Sequence, residues 1–171
     1  MDWWIDTRDK PGLLWAFLDH FVGDSRVSFE GDLGRLGLAE LPGASTSESP
    51  VLRRTTIYPR QDFVVIPVTG ETLSLLHRRL SGPGLFPDGG ALVHVQLEHA
   101  GRIVLGAYDN FHKDCVVASD PAPESLLERL RESGVIRSYA PATWGLHAAR
   151  LASRRGESAA PAPTPTEGGS G

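Results

Sequence analysis

The chain has 171 residues, 40% of them apolar, a formal net charge of −4 and one cysteine. That length fits one domain of ordinary size with enough apolar residues for a core, and the mild acidity gives no electrostatic reason to bind nucleic acid or an anionic membrane. A single cysteine excludes an internal disulfide and a multi-cysteine zinc site. The start, Met1-Asp2-Trp3-Trp4-Ile5-Asp6, lacks the basic segment and apolar run of a secretory leader, and no stretch of about 18 apolar residues offers a membrane span. A soluble, cytoplasmic protein is expected.

Residues 156–171 read GESAAPAPTPTEGGSG, with Ala159, Ala160 and Ala162 as their only apolar side chains. Such a segment cannot bury enough surface to offset the roughly 1–2 kcal/mol per residue lost on ordering a backbone. It reads as a disordered Pro/Ala/Gly/Ser/Thr-rich tail behind a single globular domain, residues 1–155. The tail carries Glu157 and Glu167 and no base, so the domain itself is closer to neutral than the whole chain. The Ala/Arg/Gly/Pro bias points to a bacterial source.

Trp3, Trp4 and Ile5 form a short strand or apolar arm. Asp9-Lys10-Pro11 is a cap followed by an early helical proline, and Leu13, Leu14, Phe17, Leu18, Phe21 and Val22 recur on one helical face, predicting a helix over 10–22 that stops at Gly23. Val27 to Glu30 alternates as a strand, and Gly31-Asp32 opens an irregular stretch that lasts through Pro50. Leu52 to Tyr58 and Phe63 to Val68 are β-rich runs around Pro59-Arg60-Gln61-Asp62, which predicts a hairpin. Thr69 caps a helix containing Leu73, Leu76 and Leu80.

Val93, Val95 and Leu97 alternate with His94, Gln96 and Glu98, and His99-Ala100-Gly101 turns this strand into a second one over 102–108. Val116-Val117 adds a short strand. Asp120-Pro121 then begins a helix with Leu126, Leu127 and Leu130 inward, closed by Gly134, and Val135-Ile136 continues the core. A last helical piece starts at Thr143, with Trp144, Ala148 and Leu151 inward. Hairpins and helices that do not alternate strictly predict an α+β fold: a mainly antiparallel sheet of about five strands on three or four helices, as a two-layer sandwich.

Three groups of residues carry the candidate chemistry. Tyr108 to Cys115 gathers the only thiol, an imidazole and two carboxylates after a predicted strand, so Cys115, His112 and Asp109 are the candidate catalytic residues. The bland reading is favoured over the catalytic one: Asp109, Asn110 and His112 shape a turn or present a polar surface, and Cys115 packs as a small apolar group. If their strands are neighbours, Glu30, His94 and Gln96 make a polar sheet face, either a recognition surface or the solvated side of an ordinary sheet. Arg53 and Arg54, near Arg60, supply positive charge for an acidic partner.

No metal site is expected, because Asp109, His112 and Asp114 match neither a zinc nor a calcium spacing, and no cofactor fingerprint occurs. These observations favour a small intracellular, non-enzymatic protein-binding domain, such as an accessory or immunity-type inhibitor protein, with a protein partner and neither nucleic acid nor membrane. The competing reading is a hydrolase or transferase using the Asp109–Cys115 loop with His94 or Glu30.

Overall fold

Segments with β-branched or alternating sequence pair edge to edge into one seven-stranded antiparallel sheet. The computed structural model describes residues 1–87 and 90–142, and Met1–Pro141 form one compact unit. In chain order the elements are β1 (Asp2–Thr7), α1 (Lys10–His20), β2 (Ser25–Gly31), β3 (Asp62–Pro67), α2 (Gly70–Arg79), β4 (Leu92–His99), β5 (Arg102–Ala107), β6 (Val116–Ser119), α3 (Glu124–Glu132) and β7 (Ile136–Pro141). The strands lie in the order β3-β2-β4-β5-β6-β1-β7. The predicted hairpin of β4 and β5 is present, and β1 is inserted between β6 and β7.

Helix α1 forms where its pattern predicts it. The Asp9 carboxylate accepts the Gly12 amide at 3.0 Å, Pro11 occupies the first turn, and Leu13, Leu14, Phe17 and Leu18 are fully buried. Each of those side chains contributes about 1.5–3 kcal/mol by leaving water. Thr69 and Thr72 cap α2 reciprocally. Helix α3 starts at Glu124, after a turn in which the Ala122 amide meets the Ser119 carbonyl, so Asp120-Pro121 belongs to that turn and is no helix cap. The inward residues of all three helices share one core with Val27, Phe29, Val95 and Leu97 of the sheet.

The expectation of about five strands in a two-layer sandwich is overturned. Strand β7 was not foreseen because Arg137, Ser138 and Ala140 show no apolar alternation, and as an outer strand β7 pairs only with β1. The predicted strand over Leu52 to Tyr58 does not exist: that segment pairs with no strand and is held by side chains. The opposite face of β3 carries a separate small cluster of Leu52, Phe63 and Val65. The architecture is thus one broad sheet, with three α-helices of 11, 10 and 9 residues and one 3-10 turn at Leu38–Glu40 among the described residues, and irregular chain over part of the second face. The predicted helix from Thr143 and the tail over 156–171 lie outside the described residues.

One irregularity positions the polar face. Across β2 and β4, Glu30 pairs with His94 but Gly31 pairs with Leu92, so Val93 is an extra residue in the ladder. Gly31 has φ 153°, and a Cβ there would run into the Ala91 carbonyl. Gly31→Ala is expected to destabilise the fold by about 1–3 kcal/mol, read as a lowered urea midpoint at unchanged slope.

Candidate functional site

The β2–β4 register sets Glu30 opposite His94, Ser28 opposite Gln96 and Arg26 opposite Glu98. Because opposed residues share a face, the polar side chains predicted to belong together do come together. At Glu30, His94 and Gln96 this face is buried, while Arg26 at its end is exposed. Residues 51–61 run across it as a strap, and Glu30 is only 2% exposed.

The strap is fastened through its backbone. The two carboxylate oxygens of Glu30 accept the Thr55 amide at 2.7 Å and the Thr56 amide at 2.9 Å. Gln96 accepts the Arg53 amide on Oε1 at 3.1 Å and donates from Nε2 to Thr55 Oγ1 at 3.2 Å. His94 Nδ1 accepts the Asp109 amide at 3.2 Å, so the neutral ring carries its proton on Nε2 and donates to Thr56 Oγ1 at 3.0 Å. A buried carboxylate is costly unless donors surround it, and two amides aimed at its oxygens are charge-assisted bonds of the stronger kind. Below them, Leu52 packs on Phe63 and Val65.

Beyond the anchored residues the strap turns outward. Ile57 is 86% exposed and Tyr58 90% exposed, followed by the exposed Pro59 and Arg60. Arg53 is exposed on the same strap. Arg54 is turned inward to lie over the Phe63 ring, 4.9 Å from its centroid, and donates to the Gln61 carbonyl at 2.7 Å. Arg54 and Arg60 line one groove of about 480 Å³, together with Leu33, Leu38 and Phe63.

The Asp109–Cys115 loop meets this polar face at His94. Asp109, Asn110 and Phe111 have φ of 49°, 55° and 58°, three successive left-handed residues of which only the first two are types that adopt this conformation readily. Tertiary bonds compensate. Asn110 donates its amide to the Val93 carbonyl and its Nδ2 to the Leu92 carbonyl, both at 2.7 Å, while its Oδ1 accepts Lys10 Nζ at 2.6 Å. Lys10 also reaches the Phe86 carbonyl at 3.0 Å. Asn110 is therefore a buried pin joining α1, the start of β4 and the loop.

Cys115 is 2% exposed, and its thiol lies 3.7 Å from Asp109 Oδ2. His112 is exposed and accepts the Asp114 amide on Nδ1 at 3.3 Å. The fold thus links Cys115 to Asp109 and Asp109 to His94, with the thiol beneath the surface. Among the described residues, no group of three or more His, Cys, Asp or Glu side chains is arranged to hold a metal ion, and no helix is long and apolar enough to cross a membrane.

Sequence reasoning found Glu30, His94 and Gln96 but missed what they bind, the amides of residues 53, 55 and 56. It also passed over Ile57 and Tyr58. The available signal was the Thr55-Thr56 pair, two residues suited to bonding a polar face, directly before two large apolar residues and Pro59.

Burial lowers the His94 pKa below its ordinary 6.5, partly offset by the Glu30 and Asp109 carboxylates. The unfolded chain therefore takes up a proton near pH 6.5 that the folded chain resists, so this contribution to stability is complete above that pH and is lost as pH falls below it. Between about pH 7.5 and about pH 5, His94→Gln is expected to lose less stability than the parent chain in urea unfolding. Glu30→Gln presents only one acceptor where two amides need one. It should lower stability by about 1–3 kcal/mol and speed tryptic cleavage after Arg53, Arg54 and Arg60. Comparison with protein-family models, with curated proteins and with solved structures finds no match to this chain.

Proposed function

We propose that this chain is a small non-enzymatic protein-binding domain, of the accessory or immunity-type inhibitor kind, that meets its protein partner with the tip of the strap, Ile57-Tyr58-Pro59-Arg60. The observation that carries this reading is the near-complete exposure of Ile57 and Tyr58 on a segment whose root is tied to a buried carboxylate. Adjoining exposed apolar side chains mark the kind of surface that a protein partner covers, and tyrosine and arginine are among the residue types enriched at interface hot spots. Anchoring also matters: a recognition loop already held in place loses less conformational entropy on binding than a free one. The cytoplasm is the compartment this reading assigns, where the lone Cys115 stays a thiol.

A hydrolase or transferase built on Cys115 is the second reading. The contacts from Cys115 to Asp109 and from Asp109 to His94 favour it. Against it stand the burial of the thiol and the use of both Glu30 oxygens and both His94 nitrogens in holding backbone and strap.

The deciding experiment isolates proteins bound to the chain from a bacterial lysate, purifies the recovered partner and measures its affinity. Tyr58→Ala and Ile57→Asp should each weaken that complex by about 30-fold or more, the roughly 2 kcal/mol loss of an interface hot spot, whereas Arg131→Ala on α3 leaves it unchanged. A purified complex indifferent to both tip substitutions contradicts the proposal, as does a turnover reaction that Cys115→Ala abolishes.

A further inference from the structure

The buried His94 ring holds two irregular segments at once, one with each nitrogen. Nε2 donates to Thr56 Oγ1 of the strap at 3.0 Å, and Nδ1 accepts the Asp109 amide at 3.2 Å. The strap contact needs a proton on the ring, whereas the loop contact needs a bare lone pair. Only the neutral ring with its proton on Nε2 satisfies both.

A second proton, on Nδ1, keeps the strap contact and destroys the other by setting N–H against N–H. The bond lost is the one that holds Asp109, the first of the successive left-handed residues Asp109, Asn110 and Phe111. Non-glycine residues hold that conformation only where surrounding bonds impose it. Two carboxylates face the ring, Glu30 opposite it on β2 and Asp109 from the segment after β5. Tyr108 of that segment has its ring centroid 5.8 Å away, and the strap contributes Thr56, which does not titrate. Glu30 is committed through both oxygens to the Thr55 and Thr56 amides. The Asp109 carboxylate belongs to an exposed residue and lies 3.7 Å from the Cys115 thiol, a weak donor.

We infer that His94 is an acid-sensitive latch on the Asp109–Cys115 loop: on protonation the ring exchanges the Asp109 amide for the Asp109 carboxylate, which uncovers the Cys115 thiol while the root of the strap stays in place. The proton comes from solvent, and hydrogen bonds alone change partners. The direction follows from linkage. Burial holds the closed ring below its ordinary 6.5, and opening returns it to water beside a second carboxylate, so opening takes up a proton and is favoured as pH falls. The Asn110 bonds to Leu92, Val93 and Lys10 do not involve the imidazole, so they confine the movement to Asp109 and the side chain it covers. A local opening of this kind leaves the rest of the sheet folded.

The test is the reaction of Cys115 in the full chain with dithiodipyridine, each rate divided by that of the urea-unfolded chain at the same pH so that the ionisation of the thiol itself cancels. Between about pH 7.5 and about pH 5 the protection of Cys115 is expected to fall about tenfold, and by no more than about twofold in His94→Gln, which cannot titrate. Asp109→Asn suits the left-handed turn equally well but offers no carboxylate, and should show a fall of about threefold or less. Amide exchange at Thr55 and Thr56, corrected for its intrinsic pH dependence, should keep its protection throughout. Flat protection of Cys115 in the parent chain overturns the inference. So does a fall of the parent's size in either variant, or an equal loss of protection at Thr55 and Thr56, the mark of global unfolding.

Discussion

A carboxylate buried in the middle of a sheet face must find hydrogen-bond donors, and Glu30 finds them in the amides of Thr55 and Thr56. The rest of the second face is arranged around that requirement. His94 and Gln96, brought alongside by the β2–β4 register, bind the hydroxyls and a further amide of the same strap. The bulge at Gly31 ends the regular ladder just beyond Glu30, and Leu52 closes the apolar floor beneath the strap. Remove the carboxylate and the strap loses the strongest acceptor holding its backbone. Ile57 and Tyr58 would then project from a loose loop in place of a fixed one.

Two kinds of structure therefore meet in one sheet. On one face, α1, α2 and α3 bury leucine and phenylalanine against Val27, Phe29, Val95 and Leu97, a non-directional arrangement driven by area. On the other, few apolar side chains are in play and directional bonds decide the path of the chain. The first face supplies stability, and the second supplies position. The Asp109–Cys115 loop sits at the junction, its left-handed residues held by Asn110 and its Asp109 amide bonded to His94. Strain at that turn is compatible with a structural role, since Asn110 ties together Lys10, Leu92 and Val93.

Periodicity made the apolar half of this arrangement legible. The stripe from Leu13 to Phe21 is α1 with its cap, and the alternation from His94 to Glu98 is β4, with Val95 and Leu97 toward the helices and the polar residues away, while Val93, predicted on the apolar face, is the bulge residue and Leu92 takes the core position. The polar set Glu30, His94 and Gln96 was also visible, because the same alternation puts them on one side of their strands. The strap was not visible. Leu52 to Tyr58 has strand composition, yet the Leu52 and Arg54 amides turn back to Ser49 and Glu48, and the Arg53, Thr55 and Thr56 amides go to side-chain acceptors 43, 25 and 26 residues away, a non-local choice that local propensity cannot register. Strand β7 escaped for a different reason: an outer strand with one neighbour carries Arg137, Ser138 and Ala140 without the pattern that burial imposes. Both misses come from pairing partners distant in the chain.

The central claim is that Glu30 fixes the root of the strap while the tip stays available. Amide hydrogen exchange at single-residue resolution tests it most directly. Thr55 and Thr56, whose N–H groups are bound by a buried carboxylate, are predicted to exchange far more slowly than Ile57 and Tyr58. Equal, rapid exchange at all four amides would contradict the account.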